Sequence, residues 1–87
     1  MQYEVRKMQN EVIVTSVARN LKELRESSRK TLADVAGTIG LSMSYISMIE
    51  DGKRSLNIEV AAEMAKIYRT NIDVIYQLYR QSKKEAG

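Results

Sequence analysis

Hydrophobic residues recur every three or four positions over most of the chain, a spacing that is typical of amphipathic α-helices. The sequence contains no proline, so the breaks between helices are expected at glycine, asparagine and serine. The pattern predicts five helices, at about residues 16–28, 31–39, 43–50, 58–69 and 71–79. We expect Thr15 or Ser16 to cap the first of them.

The start of the chain does not follow the helical pattern. In the segments YEVRK and EVIVT, β-branched residues alternate or cluster around a Gln9-Asn10 break. Residues 1–15 are therefore expected to form a short β arm or hairpin. An isolated hairpin is marginal in water, so this arm would be ordered only when it packs on the helices or pairs with a second subunit.

The second and third predicted helices are short and lie close together. Thr31 can cap the second helix in a capping-box pattern with an acidic residue three positions later. Gly40 provides a tight turn after it, because glycine adopts the left-handed conformation that ends a helix. Ser42 can cap the third helix, which Gly52 follows. Two short helices joined by a glycine turn are a helix-turn-helix pattern.

The fourth helix carries two apolar stripes, which is more apolar surface than one core-facing side requires. Either intramolecular packing or a dimer interface would cover the second stripe. The candidates for that role, on the fourth and fifth helices, are Val60, Met64, Ile67, Val74 and Leu78. Tyr76 and Tyr79 are expected to pack between helices, and residues 80–87 to form a polar, frayed tail.

Composition narrows the functional classes. The chain has 87 residues, of which 44% are hydrophobic and 29% charged, so we expect one folded domain. It contains neither cysteine nor histidine, which removes disulfides, thiolate nucleophiles and the usual zinc ligands. We therefore expect no enzyme, no catalytic residues, no metal and no cofactor.

Charge and hydropathy suggest where the protein works. No segment approaches the roughly 20 apolar residues of a membrane span, and the start lacks a signal-peptide core. The expectation is a cytoplasmic protein without a membrane partner. A net charge of +3 and a pI near 9.3 permit nucleic-acid binding but do not require it.

The string LRESSRKTLADVAGTIGLSMSYISMIEDGK resembles the Cro and phage-repressor type of helix-turn-helix, the XRE family. The positions that carry the resemblance are Leu24-Arg25, Thr31, Ala36, Gly40, Ser42, Ile46-Ser47, Glu50 and Gly52. This likeness extends over residues 16–79 without an insertion. It implies an all-α, five-helix lambda-repressor-like domain, to which the short N-terminal β arm would be added.

The resemblance also implies a function. The protein would be a repressor-like transcriptional regulator that binds a two-fold operator in double-stranded DNA as a homodimer. Its third helix would enter the major groove, with four base-facing residues: Met43, Ser44, Ser47 and Met48. The residues implied to contact the DNA backbone are Arg29, Lys30, Thr31, Ser42, Tyr45, Lys53 and Arg54. Arg25 and Glu50 would form a structural ion pair.

Some residues depart from the family pattern. Leu32 stands where the family commonly has a glutamine that contacts phosphate, and residues 43–50 contain no Arg, Lys, Asn or Gln for bidentate base contacts. An alternative is therefore a protein-interaction module of the same fold, like an antitoxin or anti-repressor. Its protein partner would bind the surface formed by Met43, Ser44 and Met48, or the apolar surface of the last two helices.

Overall fold

Five helices joined by short loops make up residues 18–86, the part of the chain that the computed structural model describes. They are α1 (Leu21–Ser27), α2 (Leu32–Ile39), α3 (Met43–Glu50), α4 (Ile58–Tyr68) and α5 (Ile72–Ala86). The predicted all-α helix-turn-helix architecture is confirmed. The arm expected at residues 1–15 lies outside the described residues.

α1 begins later than the hydrophobic pattern predicted. Asn20 is its N-cap, with extended backbone, and its side-chain oxygen accepts a hydrogen bond of 2.9 Å from the backbone N–H of Glu23. The predicted start near residue 16 is therefore wrong. An Asn followed three residues later by Glu is itself a cap pattern, and it places the start of α1 correctly.

The predicted ends of α2 and α3 agree with the structure. Thr31 and Asp34 form a reciprocal capping box, in which each side chain accepts from the other's backbone N–H at 3.0 and 2.9 Å. Gly40 ends α2 with a left-handed φ of 88°. Ser42 then caps α3 by accepting from the N–H of Tyr45 at 3.0 Å.

The core lies between all five helices. Its largest fully buried side chains come from each of them: Leu21, Leu24, Val35, Ile46, Ile49, Met64 and Ile75. Ala36 is also buried, and its small side chain allows α2 and α3 to approach closely across their turn. Burial of this kind stabilises the domain by roughly 1.5–3 kcal/mol for each large side chain.

The surplus apolar surface of α4 is covered largely within the chain. Val60, Met64 and Leu78 are buried core residues, because α5 packs along α4. These three serve helix packing in the monomer. Ile67 and Val74 are half-buried and pack against the edge of the core.

α5 is longer than predicted, because residues 80–86 continue the helix instead of forming a polar tail. Ser82 is only 3% exposed and accepts from the N–H of Leu21 at 3.4 Å. One turn later, Glu85 accepts from the side-chain amide of Asn20 at 2.6 Å. The last turns of α5 are thus fixed against the start of α1, a tertiary contact that a polar sequence does not indicate.

In residues 18–86, no single helix has the length and apolar composition needed to cross a membrane. The bent pair formed by α2 and α3 would meet that requirement on length and composition alone.

Candidate nucleic-acid interface

α2 and α3 are held at a fixed angle by the core beneath them. The two helices bend by 110° relative to each other across the turn at residues 40–42, within the range usual for helix-turn-helix units. Ile46 and Ile49 are fully buried and fix α3 on the domain. Because the buried side of α3 is defined in this way, its opposite side must face outward.

The outward side of α3 is uncharged and combines methionine and serine side chains. Met43 is 49% exposed and Met48 40% exposed, and both are among the few large hydrophobic side chains that the described surface exposes. Ser44 is exposed beside them, whereas Ser47 is half-buried. The four residues predicted to face bases therefore lie on one helix, three of them open to solvent.

Two exposed capping hydroxyls stand at the starts of α2 and α3. Thr31 and Ser42 are exposed, and each uses its oxygen to accept a backbone N–H of the helix it caps. A hydroxyl that accepts through its oxygen still carries one proton to donate. Both residues can therefore cap a helix and donate to an anion at the same time.

A buried ion pair joins α1 to the end of α3. The Arg25 guanidinium donates to both carboxylate oxygens of Glu50, at 2.7 Å from Nε and 3.2 Å from Nη2. The hydrogen bonds from Arg25 to Glu50 raise the pKa of Arg25 further above its ordinary value. Nη1 of Arg25 also donates to the carbonyl of Lys30 at 3.0 Å. The pair predicted from the sequence is thus in contact, and it also holds the loop between α1 and α2.

That loop, the α1–α2 loop (residues 28–31), presents two cations beside α2. Arg29 and Lys30 are exposed. Arg29 adopts a left-handed φ of 61°, a conformation uncommon for a residue with a side chain. The backbone N–H of Lys30 donates to the carbonyl of Arg25 at 3.2 Å. The position of these two charges therefore depends on the contacts of Arg25.

A second basic segment, the α3–α4 loop (residues 51–57), follows α3. Lys53 and Arg54 are exposed there, and the backbone N–H of Lys53 donates to the Met48 carbonyl at 2.8 Å. The Arg54 guanidinium lies over the ring of Tyr45, 5.1 Å from its centre, in a cation–π contact. Tyr45 is thus half-buried, and the Arg54 guanidinium covers one face of its ring.

Two tyrosines of α5 fix the same loop. The hydroxyl of Tyr79 donates to the carbonyl of Arg54 at 2.7 Å, and that of Tyr76 to the carbonyl of Leu56 at 2.9 Å. The sequence predicted helix packing for both rings, which pack edge to face with centres 6.5 Å apart. It did not predict the hydrogen bonds to the loop, because nothing in the helical spacing indicates which backbone carbonyl a phenol will reach.

A different tyrosine, Tyr68, lies near the ion pair. Its hydroxyl is buried and has no hydrogen-bond partner in residues 18–86. Burial raises the pKa of Tyr68 well above its ordinary value, and the charge of Glu50 raises it further. The Tyr68 phenol is therefore neutral near pH 7. Among the same described residues, no three carboxylates lie close enough together to hold a metal ion.

The helix pair and the exposed surface of α3 define a helix-turn-helix domain. A family model described as helix-turn-helix matches residues 21–75, more than half of the chain. The chain belongs to this family, the XRE type, whose members are DNA-binding domains of transcription regulation. No curated protein and no solved structure matches the chain significantly. The family match ends before Tyr76, so the tyrosine contacts to the α3–α4 loop lie beyond it.

Proposed function

We propose that this protein is a sequence-specific, repressor-like regulator that inserts α3 into the major groove of a two-fold operator as a homodimer. One observation carries the proposal. Along the chain, the helix pair α2–α3 stands between two loops that together present four exposed cations: Arg29, Lys30, Lys53 and Arg54. Phosphates flank the major groove on both sides, so a helix pair between two basic loops matches the charge pattern of a duplex.

Base reading in this proposal relies on apolar and hydroxyl contacts. Met43 and Met48 can contact the methyl group of thymine, and Ser44 and Ser47 can donate to or accept from several bases. α3 lacks the side chains that recognise guanine or adenine with two hydrogen bonds. The preferred sequence is therefore expected to be rich in A·T pairs at the positions under α3.

Backbone contacts supply most of the affinity in this proposal. The four loop cations neutralise phosphates, and the hydroxyls of Thr31 and Ser42 donate to phosphate oxygens at the starts of α2 and α3. Tyr45 contributes indirectly, because its ring supports the guanidinium of Arg54 at 5.1 Å. Each phosphate contact makes the slope of log affinity against log salt concentration steeper, that is, more negative, by about 0.9.

A homodimer would place two α3 helices one DNA turn apart. Because Met64 and Leu78 are core residues, they do not supply the interface. The half-buried Ile67 and Val74 remain as the predicted candidates. Sedimentation of Ile67→Lys and Val74→Lys, with exposed Lys66→Ala as a control, tests the interface. Both lysine variants should be folded monomers if these residues carry it, and unchanged dimers would exclude this interface.

A protein-interaction module of the same fold is the second candidate. The exposure of Met43 and Met48 favours it, because a flexible apolar pair suits a partner helix as well as a DNA groove. The two functions differ in their response to salt. Binding to DNA weakens steeply as salt rises, whereas binding of an apolar helix does not.

Selection from a random-sequence duplex pool at two salt concentrations tests the proposal. We expect recovery of a two-fold motif at the lower concentration and a steep loss of bound DNA at the higher one. Lys53→Ala/Arg54→Ala should reduce both affinity and salt dependence. Lys66→Ala is the matched control, since it removes an exposed cation at the groove between α4 and α5.

If the wild-type protein retains no duplex even at low salt, DNA binding is excluded and the interaction module is favoured. If it retains duplexes without enriching a motif, the protein binds DNA but does not read its sequence. Ser44→Arg should abolish or alter an enriched motif, because it places a cation on the base-facing side of α3.

A further inference from the structure

The α3–α4 loop, which carries two exposed cations, is held by several contacts with α5. The carbonyls of Arg54 and Leu56 each accept a hydrogen bond from a tyrosine of α5. These tyrosines lie one helical turn apart, at positions 76 and 79, so they reach the loop from the same side of α5. The loop is therefore bonded to α5, although it is α3 that precedes it in the sequence.

A third contact brings α5 against the start of this loop. Gly52 has a left-handed φ of 74°, and a Cβ atom there would lie 2.8 Å from the Cα of Lys83. No side chain fits between Gly52 and α5 at that distance. The Lys83 ammonium in turn lies over the ring of Tyr79, 5.6 Å from its centre. The contacts of α5 with Gly52, Arg54 and Leu56 therefore extend along the loop from residue 52 to residue 56.

We propose that the segment of α5 around Tyr76, Tyr79 and Lys83 positions the α3–α4 loop on DNA, with Tyr79 fixing Arg54 and Tyr76 fixing the loop behind it. This inference rests on the proposed function. It assigns a role in DNA binding to residues that lie beyond the family match, which ends at residue 75. Tyr76 and Tyr79 are positioning residues, since they act through Lys53 and Arg54.

The physical reason is the entropy of the loop. A cation on a mobile loop must lose conformational freedom when it binds a phosphate, whereas a loop already held in place loses less. Tyr79 holds the backbone of Arg54, and the ring of Tyr45 holds its side chain. Arg54 is thus held both at its backbone carbonyl and at its guanidinium before it binds DNA.

The test measures binding to a mixed-sequence duplex over a series of salt concentrations. Tyr79→Phe removes the hydroxyl that holds the loop and should weaken binding measurably, by up to about ten-fold, because the loss cannot exceed the contribution of that one hydrogen bond to ordering the loop. The salt slope should fall by up to about 0.9 for each phosphate that the variant no longer neutralises. Tyr68→Phe is the matched control, because it removes a hydroxyl without a partner in the described residues and should leave binding unchanged.

A double-mutant cycle separates positioning from a general structural effect. In a Lys53→Ala/Arg54→Ala background, Tyr79→Phe should have no further effect on binding. If it weakens binding by the same factor with and without the two cations, the inference is overturned. Tyr76→Phe offers a milder variant should Tyr79→Phe fold poorly, and melting curves establish that each variant is folded.

The outcomes for the inference and for the proposed function are distinguishable. If Lys53→Ala/Arg54→Ala weakens binding but neither tyrosine variant does, the proposed function stands and the inference is wrong. If the wild-type protein does not bind the duplex at low salt, both are wrong. Faster hydrogen exchange at the amides of Lys53 and Ser55 in Tyr79→Phe, with weaker DNA binding, supports the inference.

Discussion

Arg25 binds Glu50 through two hydrogen bonds, the shorter of them 2.7 Å, while a third N–H of the same guanidinium binds the Lys30 carbonyl. One buried side chain therefore joins α1, the α1–α2 loop and the end of α3. Both charges are almost completely removed from solvent, with side-chain exposures of 8% and 3%. The orientation of α3 relative to the first basic loop depends on this pair.

Removing one partner of this pair should be strongly destabilising. Glu50→Ala leaves the Arg25 charge buried without its counter-charge, and we expect the free energy of unfolding to fall by about 3–5 kcal/mol. Urea denaturation measures the change. Arg25→Met/Glu50→Leu should cost less than either single replacement, because it leaves no unpaired charge; a double variant that costs the sum of the two would contradict this.

Replacing each of three glycines by alanine should change the free energy of unfolding by a different amount. Gly37 is exposed inside α2 with open space at its Cβ position, so Gly37→Ala should raise the free energy of unfolding by about 0.5–1 kcal/mol. Gly40→Ala should lower it by about 1–2 kcal/mol, because φ is 88° there. Gly52→Ala should cost more than Gly40→Ala, since it combines a positive φ with the 2.8 Å approach to Lys83.

Urea denaturation of the three alanine variants side by side checks this order. The three substitutions add the same methyl group, so differences between them report backbone conformation and local space. A stabilising Gly40→Ala, or equal costs at Gly40 and Gly52, would contradict the structure.

The caps explain why most of the fold could be predicted from the sequence. Thr31, Gly40 and Ser42 act through backbone N–H groups and φ angles within four residues, so a local pattern contains the necessary information. The ends of the domain are different. Ser82 and Glu85 are ordered by contacts with residues more than 60 positions away, and no local pattern indicates such contacts.

The candidate site divides in the same way. The exposed side of α3 follows from helical spacing, because burying Ile46 and Ile49 determines which residues face outward. The supports of the basic loops do not follow from spacing. The hydrogen bond from Tyr79 to Arg54 and the stacking of Arg54 on Tyr45 depend on how two helices distant in sequence, α3 and α5, pack against the α3–α4 loop.

Stability should depend on pH through the α2 capping box. The hydrogen bond from the Thr31 backbone N–H lowers the pKa of Asp34 in the folded protein. A lowered folded pKa means that the stabilisation is fully present above the unfolded pKa of about 3.9 and is lost as pH falls through the folded value. Acidification below about pH 4 should therefore weaken the start of α2.

The variant Asp34→Asn isolates this contribution, because the amide oxygen can still accept from Thr31 but does not titrate. Wild type should be the more stable protein near neutral pH, and the difference should shrink as the pH is lowered. Thermal melting of both proteins at several pH values measures it. A difference that stays constant with pH would show that the charge of Asp34 does not contribute.

The buried hydroxyl of Tyr68 predicts a substitution that does not destabilise the protein. Because this hydroxyl has no partner in residues 18–86, it was desolvated without forming a hydrogen bond in return. Tyr68→Phe should leave the free energy of unfolding unchanged or raise it by up to about 1 kcal/mol. Tyr79→Phe should lower it by about 0.5–1.5 kcal/mol, because that hydroxyl is bonded at 2.7 Å.

Urea denaturation of both phenylalanine variants provides the comparison. The two replacements remove the same atom from buried tyrosines, so they differ only in whether that atom has a partner. If Tyr68→Phe were the more destabilising of the two, its hydroxyl would have to be bonded in solution.

The methionines of α3 predict how the protein would recognise thymine. Uracil lacks the C5 methyl group that an apolar side chain contacts in the major groove. In a duplex recovered by selection, replacing a contacted thymine by uracil should weaken binding about four-fold, as expected for one methyl group worth about 0.8 kcal/mol. Competition binding with paired thymine and uracil duplexes measures the effect.

The variants Met43→Ala and Met48→Ala identify which methionine is responsible. The variant that removes the contact should bind both duplexes equally, because it no longer distinguishes the methyl group. Lys53→Ala should weaken binding to both duplexes by the same factor, since a phosphate contact does not depend on the base. If both methionine variants still discriminate as the wild type does, α3 does not read thymine through these side chains, and their exposure would instead favour a protein partner.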